Sequence, residues 1–276
     1  MRVVLIVDVF PPYRSSGAIH MGHLAKEFVN QGHLTTVLVP ASDLTEDYSI
    51  EMWNGVRVVH LNAPKTKGIG YIRRTINEFR MPFTMLGKLK KTPVTNESWD
   101  GVVWYSPSIF FGPLVKEIKK RSSCQSYLIL RDIFPQIAVD IGLLRSWGPP
   151  YIFFRAVEKH QYSFADTIGV QTQGDISYFD SLRLRPSCRV EVLNNWLEEL
   201  PDTGSSISVA DTPLKNRKIF VYAGCMGSLQ GVDVLFDLAE RLKGKKDIGF
   251  LFVGRGSKVS HLRKLVDMRN LNNVIF

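Results

Sequence analysis

The sequence predicts an α/β protein whose parallel strands are covered by helices on both faces. Short apolar runs such as VVLIVDVF and GVVWYS are nearly continuous in Val, Ile and Leu, which is typical of strands buried on both sides. Most of these runs are separated by segments with helical periodicity. That alternation is typical of a doubly wound fold.

The predicted elements follow one another as two domains. The first contains strands VVLIVDVF, LTTVLVP, VRVVHL, GVVWYS, SYLILRDI, TIGVQT and RVEVLN, with a helix near Ala18 to Asn30. We assign residues 1–197 to this N-terminal Rossmann-like domain. Residues 198–216, EELPDTGSSISVADTPLKN, are rich in Gly, Ser, Pro and Asp without apolar period, which predicts a linker.

The same alternation restarts after the linker. Strand KIFVYAG precedes a helix near Val232 to Lys243, and strand IGFLFVGRG precedes a helix near Lys258 to Asn270, after which NVIF is a last strand. Residues 217–276 are therefore predicted to be part of a second Rossmann-like domain.

Composition limits the class of protein. The 276 residues are 45% hydrophobic and 22% charged, as in soluble globular proteins, and no apolar run reaches the roughly 18 residues of a membrane span. The chain opens on a strand-like run without a secretory cleavage site, so we expect a cytoplasmic protein. Cys124, Cys188 and Cys225 are far apart and lack C-x-x-C spacing, which predicts packing residues and neither disulfides nor zinc.

The net charge of +9 predicts an anionic partner, which a nucleic acid, a nucleotide or an acidic membrane would satisfy. No nucleic-acid reading motif is present. Residues 71–91, YIRRTINEFRMPFTMLGKLKK, interleave basic with apolar residues, and Pro82 predicts a kink or two helices. Two interpretations stay open: an interfacial helix on acidic lipid, or a surface helix with one side in the core.

Two glycine-containing turns between strand and helix are candidate phosphate sites. The first, YAGCMGSLQG, holds Gly224, Gly227 and Gly231, and the second, VGRGSK, places Arg255 between two glycines. Small residues at such turns let phosphate approach backbone amides, although glycine also serves packing there. Neither turn is a P-loop, and the N-terminal SSGAIHMG is not G-x-G-x-x-G, which disfavours NTPases and dinucleotide dehydrogenases.

Several phrases, in this order along the chain, resemble the retaining GT4 family of GT-B fold glycosyltransferases. They are FPPYRSSGAIHMGHLAKEFVNQGH, YSPSIFFG, RDIFPQIAVDIGLL, EKHQYSFADTIGVQTQGD, VLNNWLEELP, YAGCMGSLQGVD and FVGRGSKVSHLRKL. The resemblance is strongest to bacterial enzymes that build O-antigen, colanic acid and capsule, including WbuB-type N-acetylfucosamine transferases. It spans essentially the whole chain and implies two facing Rossmann-like domains, the first for the acceptor and the second for the sugar nucleotide.

The resemblance also implies the site residues. Asp132 and Arg131 are the implied catalytic pair, and the implied substrate-binding residues are Ser16, Gly17, Asp8 and His20. The implied contacts to the donor diphosphate are Gly224, Met226, Gly227, Gln230 and Arg255. His20 and His23 lie one turn apart but have no third ligand in view, and the family needs no metal and no cofactor, so the pair is not interpreted as a metal site.

The chain departs from the family at three places. Ser228, Leu229 and Gln230 stand where relatives have an Arg and a Lys on the diphosphate, and Arg131 stands where many have a histidine. Arg131 would bind phosphate or pair with Asp132, and the sequence does not choose. The sequence ends at Phe276, before the family's Glu-x7-Glu donor segment, from which we expect weak donor binding or none, and an activity that is impaired or absent.

The resemblance implies transfer of an N-acetylated deoxyhexosamine or hexose from a nucleotide sugar, such as a UDP-sugar, to an undecaprenyl-diphosphate-linked glycan. It further implies a role in surface polysaccharide synthesis at the cytoplasmic face of the inner membrane, with residues 71–91 as the contact. Two alternatives stay open: a nucleotide-sugar 2-epimerase of the same fold, and a non-catalytic acceptor-binding or assembly module.

Overall fold

The computed structural model describes residues 1–182, 184–199, 204, 208–227 and 230–276. The chain divides into two compact units, Met1–Glu199 and Leu200–Phe276. The domain limits expected from the sequence fall close to this division, but much of the expected linker (residues 200–203 and 205–207) lies outside the described residues.

The first unit is built on an eight-stranded sheet in the order β3-β4-β2-β1-β5-β6-β7-β8. Its strands are β1 Arg2–Ile6, β2 Leu34–Ala41, β3 Tyr48–Trp53, β4 Val56–Asn62, β5 Gly101–Tyr105, β6 Gln125–Ile129, β7 Thr167–Val170 and β8 Arg189–Val192. All neighbouring pairs are parallel except β3 with β4.

Helices cover this sheet. They are α1 Ser16–Asn30, α2 Tyr71–Leu89, α3 Gly112–Ser122, α4 Gln136–Asp140, α5 Pro149–Tyr162 and α6 Gln173–Asp180, with a short 3-10 helix at Pro93–Asn96. Alternate residues of β1 point to opposite faces: Val4 and Ile6 join one buried cluster, whereas Val3, Leu5 and Val7 join another. A strand with apolar side chains on both faces must be covered twice, which is why its sequence is a continuous apolar run.

The sheet has a topological switch point between β1 and β5. The chain leaves β1 towards β2 and β4 on one side and returns to β5 on the other. Ligands of open parallel sheets bind outside the carboxyl ends of the strands at such a point. The carboxyl ends of β1, β5 and β6 are therefore where a site is expected in the first unit.

Two sequence predictions for the first unit need correction. β3, YSIEMW, was not expected, because it is a mostly exposed edge strand whose register is provided by antiparallel pairing with β4. Of the two outcomes predicted at Pro82, a division into two helices is wrong. Helix α2 runs as one helix from Tyr71 to Leu89, with Pro82 buried in it. Packing of Met81, Met85 and Leu89 against the core offsets the backbone hydrogen bond that proline cannot donate.

The second unit contains a three-stranded parallel sheet in the order β11-β10-β9. Its elements are β9 Lys218–Cys225, α7 Asp233–Arg241, β10 Ile248–Arg255, α8 Val259–Met268 and β11 Val274–Ile275. Phe236, Phe250, Phe252 and Leu262 lie in its buried cluster. Part of the expected linker packs on this unit, because Leu214 is fully buried and lies beside Gly249.

The three cysteines differ in their surroundings. Cys124 is buried and packs in the core of the first unit, as predicted, and Cys188 is partly buried. Cys225 is exposed at the end of β9, so its interpretation as a packing residue is wrong. Among the helices that the structure describes, none is both long and apolar enough to cross a membrane.

Candidate functional site

The carboxyl edge of the large sheet brings together residues from distant parts of the first unit. Asp8 lies two residues beyond β1, Tyr105 ends β5, and Arg131 and Asp132 follow β6. The Tyr105 phenol is largely buried, and its pKa is raised by that burial; the charge of Arg131 lowers it, whereas Asp132 and Asp8 add to the rise. The three predicted residues Asp8, Arg131 and Asp132 thus act on one phenol.

The N-terminus of α1 lies at the same edge. Ser15 adopts an extended conformation and caps the helix, its Oγ accepting a hydrogen bond of 3.3 Å from the Ala18 amide. Ser16 begins the helix and is exposed. Gly17 lies against Tyr105, since a Cβ built at Gly17 would be 3.1 Å from Tyr105 Cε1. Unpaired amides in the first turn of a helix favour an anion at this position.

Arg131 places a positive charge at this edge of the sheet. Its Nη1 atom is buried and has no hydrogen-bond partner among the described residues, while its carbonyl oxygen accepts from Gln171 Nε2. A buried, unpaired guanidinium nitrogen is costly, and an anion supplied by a ligand would satisfy it. The charge of Arg131 also acts on the Asp132 carboxyl and on the Tyr105 phenol, so both roles that the sequence left open stay predictions.

The charge of Arg131 also affects the pKa of His20, in the second turn of α1. Burial lowers the pKa of His20, and the charges of Arg131 and His23 lower it further. Its Nδ1 is buried without a partner in the described part of the chain, and its carbonyl accepts from Trp196 Nε1 at 3.2 Å. The lowered pKa favours the neutral imidazole of His20, which can both donate and accept a hydrogen bond.

Asp132 has the properties of a functional carboxylate. Burial raises the pKa of its carboxyl, and the positive charge of Arg131 opposes that rise. The residue as a whole is exposed to solvent, so a ligand can reach it. An accessible carboxyl with a raised pKa is a candidate for a functional group.

Asp8 belongs to a chain of charges that sequence reasoning did not predict. Its carboxylate pairs with Lys67 Nζ at 3.2 Å, and Lys67 lies over the Tyr13 ring at 5.5 Å. Glu78 of α2 pairs with Arg74 at 2.8 Å, and burial raises the pKa of Glu78, an effect to which Asp8 adds. The first half of α2 therefore reaches the site edge.

The motif EKHQYSFAD has a structural role. Glu158 is fully buried and accepts hydrogen bonds from Tyr162 at 2.9 Å, from Tyr178 at 3.0 Å and from Arg155. Asp166 accepts bonds from Lys119 at 2.6 Å and from the Ser126 amide at 2.9 Å. These contacts fix α5 and β7, which flank the loop that carries Arg131 and Asp132.

In the second unit, the glycines bring two strand ends into close contact. Gly224 pairs with Gly254 across β9 and β10, and a Cβ at Gly254 would come within 1.9 Å of the Gly224 oxygen. At Gly256 a Cβ would be 2.3 Å from the Met226 oxygen. These two glycines are required by the close approach of the loops themselves. The donor role predicted for the exposed Gly224 stays a prediction.

The other donor residues of this unit differ in what they offer. Met226 is fully buried, and its amide donates to the Arg255 oxygen at 2.8 Å, so these contacts give no support to a donor role for Met226. The Gly227 amide donates to Gln230 Oε1 at 3.1 Å. Arg255 is exposed, and Lys258 pairs with Asp233. Ser228 and Leu229 lie outside the described residues.

Metal binding has no ligand set in the part of the chain that the structure describes. No group of three or more His, Cys, Asp or Glu side chains is placed there to hold an ion. His23 lies 3.4 Å from Glu198, which also pairs with Lys26, so these contacts attach the segment after β8 to α1.

Comparison with known proteins gives relatives at the level of sequence and of fold. No family model matches the chain. It is 25% identical over 141 residues to a probable glycosyltransferase WbjE of Pseudomonas aeruginosa, covering 50% of this chain and 35% of that protein. It is 23% identical over 186 residues to a putative colanic acid biosynthesis glycosyl transferase WcaI of Escherichia coli K12, covering 64% and 45%. The chain thus spans less than half the length of these curated relatives.

Solved structures share the fold at low identity. Sucrose-phosphate synthase from Thermosynechococcus elongatus matches all of this chain and 70% of its own, with a TM-score of 0.69 and 13% identity. A structure of trehalose-6-phosphate from E. coli bound with UDP-2-fluoro glucose matches 98% and 69%, with a TM-score of 0.65 and 14% identity. The chain therefore has the GT-B fold, and its sequence is similar to these two bacterial glycosyltransferases.

Proposed function

We propose that the protein is a retaining glycosyltransferase of the GT4 type. Its donor is a UDP-sugar carrying an N-acetylated deoxyhexosamine or a hexose, and its acceptor is an undecaprenyl-diphosphate-linked glycan. The sequence relatives support the reaction class, and the name of WcaI supports a role in surface polysaccharide synthesis. A neighbour of the same fold bound to a UDP-sugar analogue supports the donor class.

The observation that carries the proposal is the unpaired Nη1 of Arg131 at the edge where α1 begins. His20 and Tyr105 both feel the Arg131 charge, and Gly17 of the first turn contacts Tyr105. A guanidinium and a helix N-terminus together form a site suited to a diphosphate. Both substrates of the proposed reaction carry one.

The proposed chemistry needs charge stabilisation more than a protein nucleophile. The bond from the anomeric carbon to the donor phosphate oxygen breaks, a bond to the acceptor hydroxyl oxygen forms, and negative charge collects on the leaving diphosphate. Cations and amides aimed at that charge lower the barrier. In this proposal Asp132 holds the acceptor hydroxyl in place by a hydrogen bond, and the hydroxyl proton passes to the leaving diphosphate oxygen on the same face of the sugar, so that the anomeric configuration is retained.

Membrane contact through residues 71–91 is part of the proposal. Ile72, Phe79 and Phe83 of α2 are exposed, as are Arg73 and Arg80. Lys88 and Lys91 pair with Asp47, and Arg74 pairs with Glu78, so the exposed Arg73, Arg80 and Lys90 carry the remaining positive charge of this segment. Exposed apolar residues beside arginines suit the surface of an acidic bilayer at the cytoplasmic side of the inner membrane.

The test is a transfer assay with the protein, radiolabelled UDP-sugars and vesicles that contain the lipid-linked acceptor. We expect slow transfer of label to the lipid, in line with the impaired activity expected above, and only when donor and acceptor are both present. Conversion of the donor sugar without acceptor product would indicate the epimerase, and acceptor binding without turnover would indicate an assembly module; either result contradicts the proposal.

A matched pair of variants tests the role of Asp132. Asp132→Asn should lower turnover by about 10²-fold or more, because the carboxylate that positions the acceptor hydroxyl is lost. Asp140→Asn, an exposed acid of α4 bonded to Gln136, should leave turnover unchanged. Equal turnover of the two variants would remove Asp132 from the mechanism.

A further inference from the structure

Helix α2 has two apolar sides, and one of them is not buried in the first unit. Met81, Met85 and Leu89 pack in the core. Ile72, Ile76, Phe79 and Phe83 recur at intervals of four, three and four residues, which places them on one helix face, and they are 45–79% exposed. The core does not account for this second stripe.

A row of aromatic rings leads from this stripe into the protein. Phe83 and Phe79 have ring centroids 5.8 Å apart, and Phe79 lies 6.0 Å from Phe153 of α5. Phe153 is 5.3 Å from Phe154, which in turn is 5.0 Å from Phe134. We call these five residues the aromatic row; it connects α2, α5 and the loop after β6.

Exposure falls along the aromatic row. Phe83, Phe79 and Phe153 are 52%, 45% and 40% exposed, whereas Phe154 and Phe134 are only partly exposed. The buried Phe110 packs edge-on against Phe154 at its inner end. The Phe134 amide donates to the Asp132 carbonyl oxygen at 3.1 Å, so the row begins at the surface and ends at the loop that carries Asp132.

We propose that the aromatic row binds the apolar chain of the acceptor lipid, next to its diphosphate. This inference rests on the proposed function and deepens it by assigning a subsite for the isoprenoid part of the substrate. A flat bilayer surface would cover the exposed outer rings alone. A row that turns inward to Phe134 fits a single chain that follows it towards Asp132.

The charges around the row agree with this occupant. Arg73 and Arg80 are exposed on the same helix as the outer rings, and Arg131 lies one residue before Asp132 at the inner end. Basic groups at both ends suit an amphiphile with an anionic head, and they would repel a basic partner helix. A diphosphate near Arg131 leaves the attached chain beside Phe134.

The test compares two soluble diphosphates that differ only in their chain. Farnesyl diphosphate and methyl diphosphate are titrated into the protein by calorimetry, without donor and without vesicles. We expect the farnesyl compound to bind about tenfold more tightly or better, because the rings bury its chain. Equal affinity for the two compounds would overturn the proposal.

Variants locate the chain. Phe79→Ala with Phe153→Ala should reduce farnesyl binding about tenfold and leave methyl diphosphate binding unchanged, whereas Phe79→Leu with Phe153→Leu should retain most of the preference. The control Leu34→Ala with Met52→Ala removes two exposed apolar side chains elsewhere on the same unit, each 66% exposed, and should change neither affinity. An equal loss in the control would contradict a specific site.

Two further results separate this inference from the proposed function. A farnesyl preference without sugar transfer would support the row while the transferase proposal fails. Transfer that is equally fast with short-chain and long-chain acceptors would support the transferase and overturn the row. Alanine variants that lose vesicle binding but keep the farnesyl preference would assign these rings to the bilayer and also overturn it.

Discussion

Gly17 lies against the ring of Tyr105, with the position of a Cβ at Gly17 only 3.1 Å from Tyr105 Cε1. The two residues are far apart in sequence, and their contact holds the first turn of α1 over the end of β5. Tyr105 is buried, and the charges of Arg131, Asp132 and Asp8 affect the pKa of its phenol. A side chain at position 17 would therefore disturb the candidate site from its centre.

Gly17→Val is expected to displace Tyr105 and to weaken diphosphate binding. Overpacking of a buried contact costs about 1–3 kcal/mol, so the free energy of unfolding should fall by about that amount. Urea unfolding and pyrophosphate titration would measure the two effects. Gly87→Val provides the control, since a Cβ at Gly87 meets nothing within 4 Å. Unchanged pyrophosphate binding in Gly17→Val would contradict a site at this edge.

The pKa of His20 should report on the charge of Arg131. That pKa is lowered by burial and, next in size, by the Arg131 charge. Arg131→Gln should therefore raise it towards the ordinary value of about 6.5, and pyrophosphate bound to the unmodified protein should raise it as well, because an anion offsets the guanidinium.

NMR titration of the His20 ring would measure both shifts, with the His33 ring as the reference. A His20 pKa that is the same in Arg131→Gln and in the unmodified protein would mean that the Arg131 charge does not act on His20. A His20 pKa that rises in Arg131→Gln but does not respond to pyrophosphate would support the effect of Arg131 on His20 and contradict an anion site at Arg131.

Gly254 should be indispensable to the second unit. A Cβ there would come 1.9 Å from the backbone oxygen of Gly224, and the φ angle of +154° is one that other residues rarely adopt. Because a backbone atom cannot move aside like a side-chain end, Gly254→Ala should destabilise this unit by about 3 kcal/mol or more.

All five tryptophans lie in the first unit, so hydrogen exchange at the amides of Phe250 and Phe252 is the better measurement. Gly244→Ala is the control, because a Cβ at Gly244 meets nothing within 4 Å. Equal protection in the two variants would show that the β9 and β10 ends can separate at little cost.

Most of the fold could be predicted because the residues of each strand and helix themselves indicate that element. A strand buried on both faces, such as β1, must be apolar at every position, and the repeated alternation with helices then fixes a parallel sheet. β3 lacked such a signal because its side chains are mostly exposed and its partner β4 provides its register. The start of α1 could be predicted from FPPYRSSGAIHMGHLAKEFVNQGH, one of the phrases that carry the family resemblance.

The site was predictable only where one motif carries the residue. Arg131 and Asp132 were found through RDIFP, and Gly17 through SSGAIHMG. Tyr105 and Glu78 lie in segments quoted above, and Lys67 does not, but none of the three was predicted as a site residue, because their part in the site comes from contacts between separate segments. The aromatic row was missed for the same reason, since its rings come from three separate segments.

Asp166 should stabilise the first unit in a manner that depends on pH. Burial alone would raise its pKa, but hydrogen bonds from Lys119, Ser126 and Arg185 outweigh burial and lower it. A lowered folded-state pKa contributes stability above the unfolded value, near 3.8, and this contribution is lost as pH falls through the folded-state pKa.

Asp166→Asn should therefore reduce the free energy of unfolding at pH 7 by about 1.5–3 kcal/mol, the size of hydrogen bonds to a charged group. The difference from the unmodified protein should shrink below pH 4. Urea unfolding across this range measures it, with Asp43→Asn, at an exposed loop position, as the control. A difference that stays constant with pH would assign the effect to packing alone.

Arg73 and Arg80 should govern attachment to acidic bilayers. They are exposed on α2 beside Ile72, Phe79 and Phe83, and each basic residue near an anionic surface contributes about 1 kcal/mol. Arg73→Gln with Arg80→Gln should weaken binding to vesicles rich in phosphatidylserine about tenfold or more at low salt, and the effect should diminish at high salt because ions screen exposed charges. Co-sedimentation measures this, with Lys116→Gln and Lys120→Gln on α3 as a control of equal charge. Equal losses in both double variants would mean that net charge, and not the α2 surface, attracts the protein to lipid.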